Sequence, residues 1–180
     1  MSLSEKKGRI ETSRRTAYGT PLKCRQDAAE RLVIFRLALL GTDRPGEMLW
    51  PAGLCQHFFR RRPFIHLGPE PFRGPIARNH WIGICPGGLM VKNLYAPPEI
   101  EPLAGGIFDA HRSGAAVVQT LAITIEAALE PGQSGFSELA ARVPAQTQAG
   151  LAPTRLITRW TLHDWAEIFP VGPPATPMKE

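Results

Sequence analysis

The sequence predicts a single α+β domain over residues 25–170, in which a small antiparallel sheet, built from a hairpin and a C-terminal strand, packs against two main helices. Three observations predict it. Residues 26–40 place Ala28, Leu32, Phe35 and Leu39 at three- and four-residue steps, the spacing of an amphipathic helix. Residues 109–130 are apolar around most of a helical circumference, through Val117, Val118, Leu121, Ile123, Ile125 and Leu129. Between them, Trp81 to Cys85 and Leu89 to Tyr95, rich in Ile, Val and aromatics, flank a Pro86-Gly87-Gly88 turn and read as a hairpin.

Residues 1–24 combine charge, Ser, Thr and Gly with few large apolar side chains, so they are expected to form a flexible basic arm. In the first helix, Asp27 and Glu30 lie near the positive end of the dipole, and Gly41 supplies the stop. Residues 48–59 are expected to be helical in their second half, until Pro63 ends the run. The prolines and glycines of residues 63–79 permit only a short strand at Phe64 to Leu67. After the hairpin comes the long buried helix, with Asp109 as its N-cap, and then a short helix from Ser137 to Val143. Arg155 to Leu162 alternates as a strand that pairs with the hairpin, and residues 171–180 form a Pro-rich extended tail.

The chain of 180 residues carries a formal charge of +5. Lys6, Lys7, Arg9, Arg14, Arg15, Lys23 and Arg25, against Glu5 and Glu11, hold that whole excess. A second basic group, Arg60, Arg61, Arg62, Arg73 and Arg78, is interleaved with Phe58, Phe59, Phe64, Phe72 and Trp81. Guanidinium and ammonium groups suit phosphate contacts, and aromatics stack on unpaired bases. These twelve basic residues are the candidate nucleic-acid contacts. Residues 99–138 are acidic by contrast, and can neutralise the arginines within the fold or across a homodimer.

The chemistry-bearing motifs are mostly negative. Cys55, His57, His66, His80 and Cys85 fall in one stretch, but no close pair has zinc-ligand spacing, so no metal is assigned. The Cys85-Pro86-Gly87-Gly88 turn is similar to the oxyanion strand of class I glutamine amidotransferases. The Gly-x-Cys-x-Gly elbow that family requires is absent, because no cysteine follows Cys85. His163-Asp164 resembles the dyad of HD metal hydrolases, yet no Asp follows Asp164 to complete that ligand set. There is no G-x-G-x-x-G, no G-x-x-x-x-G-K-[ST], no H-E-x-x-H and no G-x-S-x-G, so no catalytic residue and no cofactor is assigned.

Cys24, Cys55 and Cys85, with no close-spaced pair, fit a reducing compartment, and the cytoplasm is the expected location. Ala115 to Leu129 is too short and too polar to span a membrane. The expected function is a non-enzymatic bacterial accessory protein that contacts nucleic acid through the arm and the Arg60 to Arg78 loop. Two alternatives stand beside it: an adaptor whose arm and tail fold on a protein partner, and a cysteine- or metal-dependent enzyme using the Cys55 to Cys85 region.

Overall fold

The computed structural model describes residues 11–27, 30–39, 47–68, 74–86, 88–113, 119–129 and 155–170. In chain order the strands are β1 (Glu11–Asp27), β2 (Glu30–Ala38), β3 (Glu47–Leu49), β4 (Leu54–Cys55), β5 (Phe64–Leu67), β6 (Ala77–Cys85), β7 (Gly88–Tyr95), β8 (Thr120–Leu129), β9 (Arg155–Ile157) and β10 (Trp160–Phe169). The helices are α1 (His57–Arg61) and α2 (Pro102–Arg112). The strands β1, β2, β7, β6 and β5 are antiparallel neighbours, β5 pairs in parallel with β10, and β8 lies antiparallel between β10 and β1. Seven strands thus close into a barrel, which leaves no free edge along that ring. At one end β4 adds to β10, and β3 pairs with β9 in a small parallel ribbon.

This architecture corrects the α+β expectation. The first predicted helix is the strand β2, whose burial alternates: Val33, Phe35 and Leu37 point into the barrel, while Leu32, Ile34 and Arg36 point out. A nearly continuous apolar run satisfies both a 3.6 and a 2.0 period, so spacing alone does not choose between them. The choice is made by β1 and β7, which pair with β2 on its two edges and satisfy its backbone groups. The predicted long helix is likewise two elements. Its first part ends within α2, and its second is β8, which sends Leu121, Ile123, Ile125 and Ala127 inward. Thr120, Ile123, Thr124 and Ile125 are β-branched and pack well on a pleated surface. Asp109 is therefore not an N-cap: Glu101 holds that place, its carboxylate accepting the Leu103 N–H at 3.3 Å.

Residues 11–24, expected in a flexible arm, belong to β1, hydrogen-bonded along its first half to β8 and along its second to β2. The expected C-terminal strand begins as β9 and continues, after Thr158 and Arg159, as β10, but it pairs with β3, β4, β5 and β8 and not, as expected, with the hairpin. The hairpin of β6 and β7 and the strand β5 lie where the sequence puts them. The predicted helix at 137–143, the tail at 171–180, the residues before Glu11, and Arg73 lie outside the described residues.

The core is the barrel interior. Val33, Phe35, Leu37, Ile65, Leu89, Val91, Leu121, Ile123, Ile125, Leu162 and Ile168 have no exposed surface there. Each such side chain contributes about 2 kcal/mol of transfer free energy. Phe59 of α1 is buried, as are Ala104 and Phe108 of α2. Gly88 sits so close to β2 that a Cβ there would run into the Leu37 carbonyl, and only glycine allows the β2 and β7 backbones to pair at that point. Among the described residues, no helix is long and apolar enough to cross a membrane.

Candidate functional site

Three irregularities in the ladders decide what the barrel shows on its outside. A bulge in β1 between Pro21 and Lys23 reverses the side-chain alternation, so Cys24 packs on the core and Lys23 and Arg25 face outward. A bulge in β6 between Asn79 and Trp81 leaves both Arg78 and Trp81 exposed. Asn79 stabilises that bulge, its Nδ2 donating to the carbonyls of Trp81 and Lys92 and to Asn93 Oδ1. The third, in β10 between Leu162 and Ala166, leaves the consecutive residues Asp164 and Trp165 both exposed.

The first two bulges build a basic wall across five strands. One row runs Lys23, Ile34, Lys92, Trp81, and the next runs Arg25, Leu32, Leu94, Arg78, Phe64. Trp81 is 44% and Phe64 42% exposed, and Lys92 Nζ stands 4.8 Å above the Trp81 ring. Neither row contains a carboxylate. Arg36 lies further along β2, its guanidinium donating to the Pro86 carbonyl at 2.7 Å.

Of the predicted contacts, the structure thus brings Lys23, Arg25 and Arg78 onto one surface. Arg60, Arg61 and Arg62 are exposed at the end of α1, just before β5, with Arg60 Nε donating to Gln56 Oε1. Arg14 is turned elsewhere, its Nε 3.8 Å from Glu126, and Arg15 is only 2% exposed and cannot reach a phosphate. Lys6, Lys7, Arg9 and Arg73 lie outside the described residues. Lys92 was missed by sequence reasoning because it is a single cation in a hairpin read by its Ile, Val and aromatic residues.

Cys55, His57, His66, His80 and Cys85 are dispersed over β4, α1, β5, the middle of β6 and its C-terminal end. Among the described residues, no group of three or more His, Cys, Asp or Glu side chains is placed to hold a metal ion. His163 does not act with Asp164: its Nε2 is 2.9 Å from Glu126. That hydrogen bond, opposed by partial burial, holds the Glu126 carboxyl below the usual carboxylate range.

The third bulge creates a different site. Register places His66 of β5, Glu167 of β10, Ala122 of β8 and Tyr18 of β1 in one outward row. The Trp165 indole lies flat on the His66 imidazole, with centroids 4.3 Å apart and planes 9° from parallel. Its Nε1–H donates to Glu167 Oε1 at 2.7 Å. His66 Nδ1 is buried without a hydrogen-bond partner among the described residues. Gly68 leaves room for the neighbouring groups, since a Cβ there would stand 2.7 Å from the Phe169 ring and 3.2 Å from Glu167 Oε2. A cleft of about 200 Å³ opens beside this row, lined by Thr16, Tyr18, Ala122, Thr124, Trp165, Glu167 and Phe169. Trp165 and Glu167 went unnoticed in the sequence, although the alternation of Leu162 continues through Ala166 and Ile168 to mark them as outward residues.

No protein-family model and no curated protein matches the chain. Among solved structures, the fold is similar to that of the capsid assembly protease of bacteriophage T4, with a TM-score of 0.50 and 8% sequence identity. The similarity covers 91% of this chain and 99% of the phage protein. At that identity the likeness is one of fold alone.

Proposed function

We propose that this chain is a non-enzymatic protein-binding module that uses the fold of a capsid assembly protease for assembly and not for peptide hydrolysis. One observation carries the reading, namely what surrounds His66. Acyl transfer at a histidine needs an uncovered imidazole within hydrogen-bond reach of a hydroxyl or thiol. Here one face of the imidazole is covered by Trp165, Glu167 accepts from that indole, and the next position in the row is the methyl group of Ala122. The arrangement is one of packing and recognition. The test is incubation of the full chain with unfolded casein and with a fluorophosphonate probe. No labelling is expected, and no peptide release above that of His66→Ala; cleavage that His66→Ala abolishes would overturn the proposal.

The basic wall favours a second reading, contact with nucleic acid. Lys23, Arg25, Arg78 and Lys92, with Trp81 and Phe64 between them, match the combination of cations and stacking surfaces that single strands need. About four phosphate contacts would weaken single-strand binding roughly 50-fold between 50 and 200 mM salt. Fluorescence anisotropy with labelled single-stranded DNA and RNA measures this slope. The combined substitution Arg78→Glu and Lys92→Glu is expected to abolish the salt-sensitive part, and binding unchanged by it would remove the wall from consideration.

A further inference from the structure

We propose that the cleft between β1, β8 and β10 is a recognition pocket for a single Lys or Arg side chain, presented by an extended segment of a partner protein. The inference rests on the protein-binding reading above and names the chemistry that the pocket selects. Its walls are aromatic, formed by Tyr18, Trp165 and Phe169, and Ala122 between them is small enough to give the cleft depth. Aromatic faces carry negative potential and attract a cation more strongly than an alkyl group of the same shape. Glu167 adds a full negative charge within the lining. The Trp165 N–H occupies one of its oxygens and orients the carboxylate, leaving the second oxygen for an ammonium or guanidinium.

No cation of the described residues fills this role. Arg14, the outward residue of β1 beyond Thr16, is turned to Glu126. Among the described residues no salt bridge to Glu167 is formed, and the indole donates the one side-chain hydrogen bond to its carboxylate. A half-buried carboxylate without a counter-charge among the described residues, walled by three aromatic rings, is complementary to a long cationic side chain. An acidic side chain would be repelled, and an apolar one would leave the carboxylate desolvated and unpaired.

The test uses the full chain labelled with nitrogen-15, titrated with N-acetyl-lysine amide, N-acetyl-arginine amide, and the norleucine and glutamate amides as controls. The reporter is the indole N–H signal of Trp165, assigned from its loss in Trp165→Phe. The two cationic amides are expected to shift it at concentrations about tenfold below those at which norleucine amide acts. Glu167→Gln is expected to remove that preference. Tyr18→Leu is expected to reduce it while leaving norleucine binding in place, which keeps the proposal testable if Glu167→Gln fails to fold. Equal responses to lysine and norleucine amides, or a preference that survives Glu167→Gln, would overturn it. The casein assay separates the two readings: a chain that selects lysine yet cleaves casein defeats the non-enzymatic reading alone, and one that neither cleaves nor discriminates defeats the pocket alone.

Discussion

Replacing Trp160 with Ala is expected to lower the unfolding free energy by about 4 kcal/mol. Trp160 opens β10 at the point where that strand pairs with β4 through Leu54 and with β8 through Ala127. It is 2% exposed, the largest side chain buried to that degree among the described residues. Its Nε1–H donates to the Trp50 carbonyl at 2.7 Å, and the Trp50 N–H in turn donates to the Ile157 carbonyl at 2.8 Å. One side chain therefore joins the barrel to the ribbon of β3 and β9. Trp160→Phe separates the two contributions, because it keeps most of the packing and strands the Trp50 carbonyl, at a cost of about 1–2 kcal/mol. Urea unfolding of both variants measures the difference as a shift in midpoint at constant slope. A loss below about 1 kcal/mol for Trp160→Ala would contradict the closure of the barrel at this seam.

Tyr95→Phe is expected to cost about 1–3 kcal/mol at neutral pH and to change the response to alkali. The Tyr95 hydroxyl donates to Gln119 Oε1 at 2.6 Å, and Gln119 Nε2 donates to the Ile107 carbonyl at 3.0 Å. Gln119 has no exposed surface, so removing the hydroxyl leaves a buried amide oxygen without its donor. This chain of bonds ties the end of β7 to α2 and to the residue preceding β8, with Tyr95 and Phe108 6.0 Å apart beside it. Burial pushes the Tyr95 hydroxyl well above its ordinary range. The folded state thus favours the neutral phenol. Its contribution is fully present below the unfolded pKa of about 10 and is lost as pH rises through the higher folded value. Wild-type stability is expected to fall above about pH 10 by up to about 1.4 kcal/mol per pH unit from this group. Tyr95→Phe lacks that component, so the two stability curves converge in alkali. Parallel curves above pH 10 would show that Tyr95 ionises as readily in the folded protein as in the unfolded chain.

Local turn and breaker chemistry was legible in the sequence, and it located the elements that such chemistry bounds. Pro63 and the glycines and prolines of residues 63–79 confine β5 to Phe64–Leu67, and the Pro86-Gly87-Gly88 turn marks the hairpin of β6 and β7. The apolar runs were not legible in the same way. Leu32, Phe35 and Leu39 share a helical face and Val33, Phe35 and Leu37 share a strand face, so one segment satisfied both patterns. The same ambiguity joined α2 to β8. Basic residues 11–24 read as an arm because alternation is weak where Arg14, Thr16 and Tyr18 face outward and the inward residues include Arg15 and Gly19.

The candidate sites divide along the same line. Residue type alone marked Lys23, Arg25 and Arg78 as phosphate-contacting, and the tertiary structure decided that they share a wall with Lys92 and that Arg15 does not. The cleft of Tyr18, Ala122, Trp165 and Glu167 was not legible as a site, since its members come from three strands widely separated in sequence. By itself the sequence determined the local stops, the charge and the absence of nucleotide-binding and common hydrolase motifs. Only the tertiary structure decided between helix and strand and set which outward residues meet. The reason is that backbone hydrogen bonding in a closed barrel is satisfied between distant segments, and bulges in β1, β6 and β10 help determine which side chains those pairings turn outward.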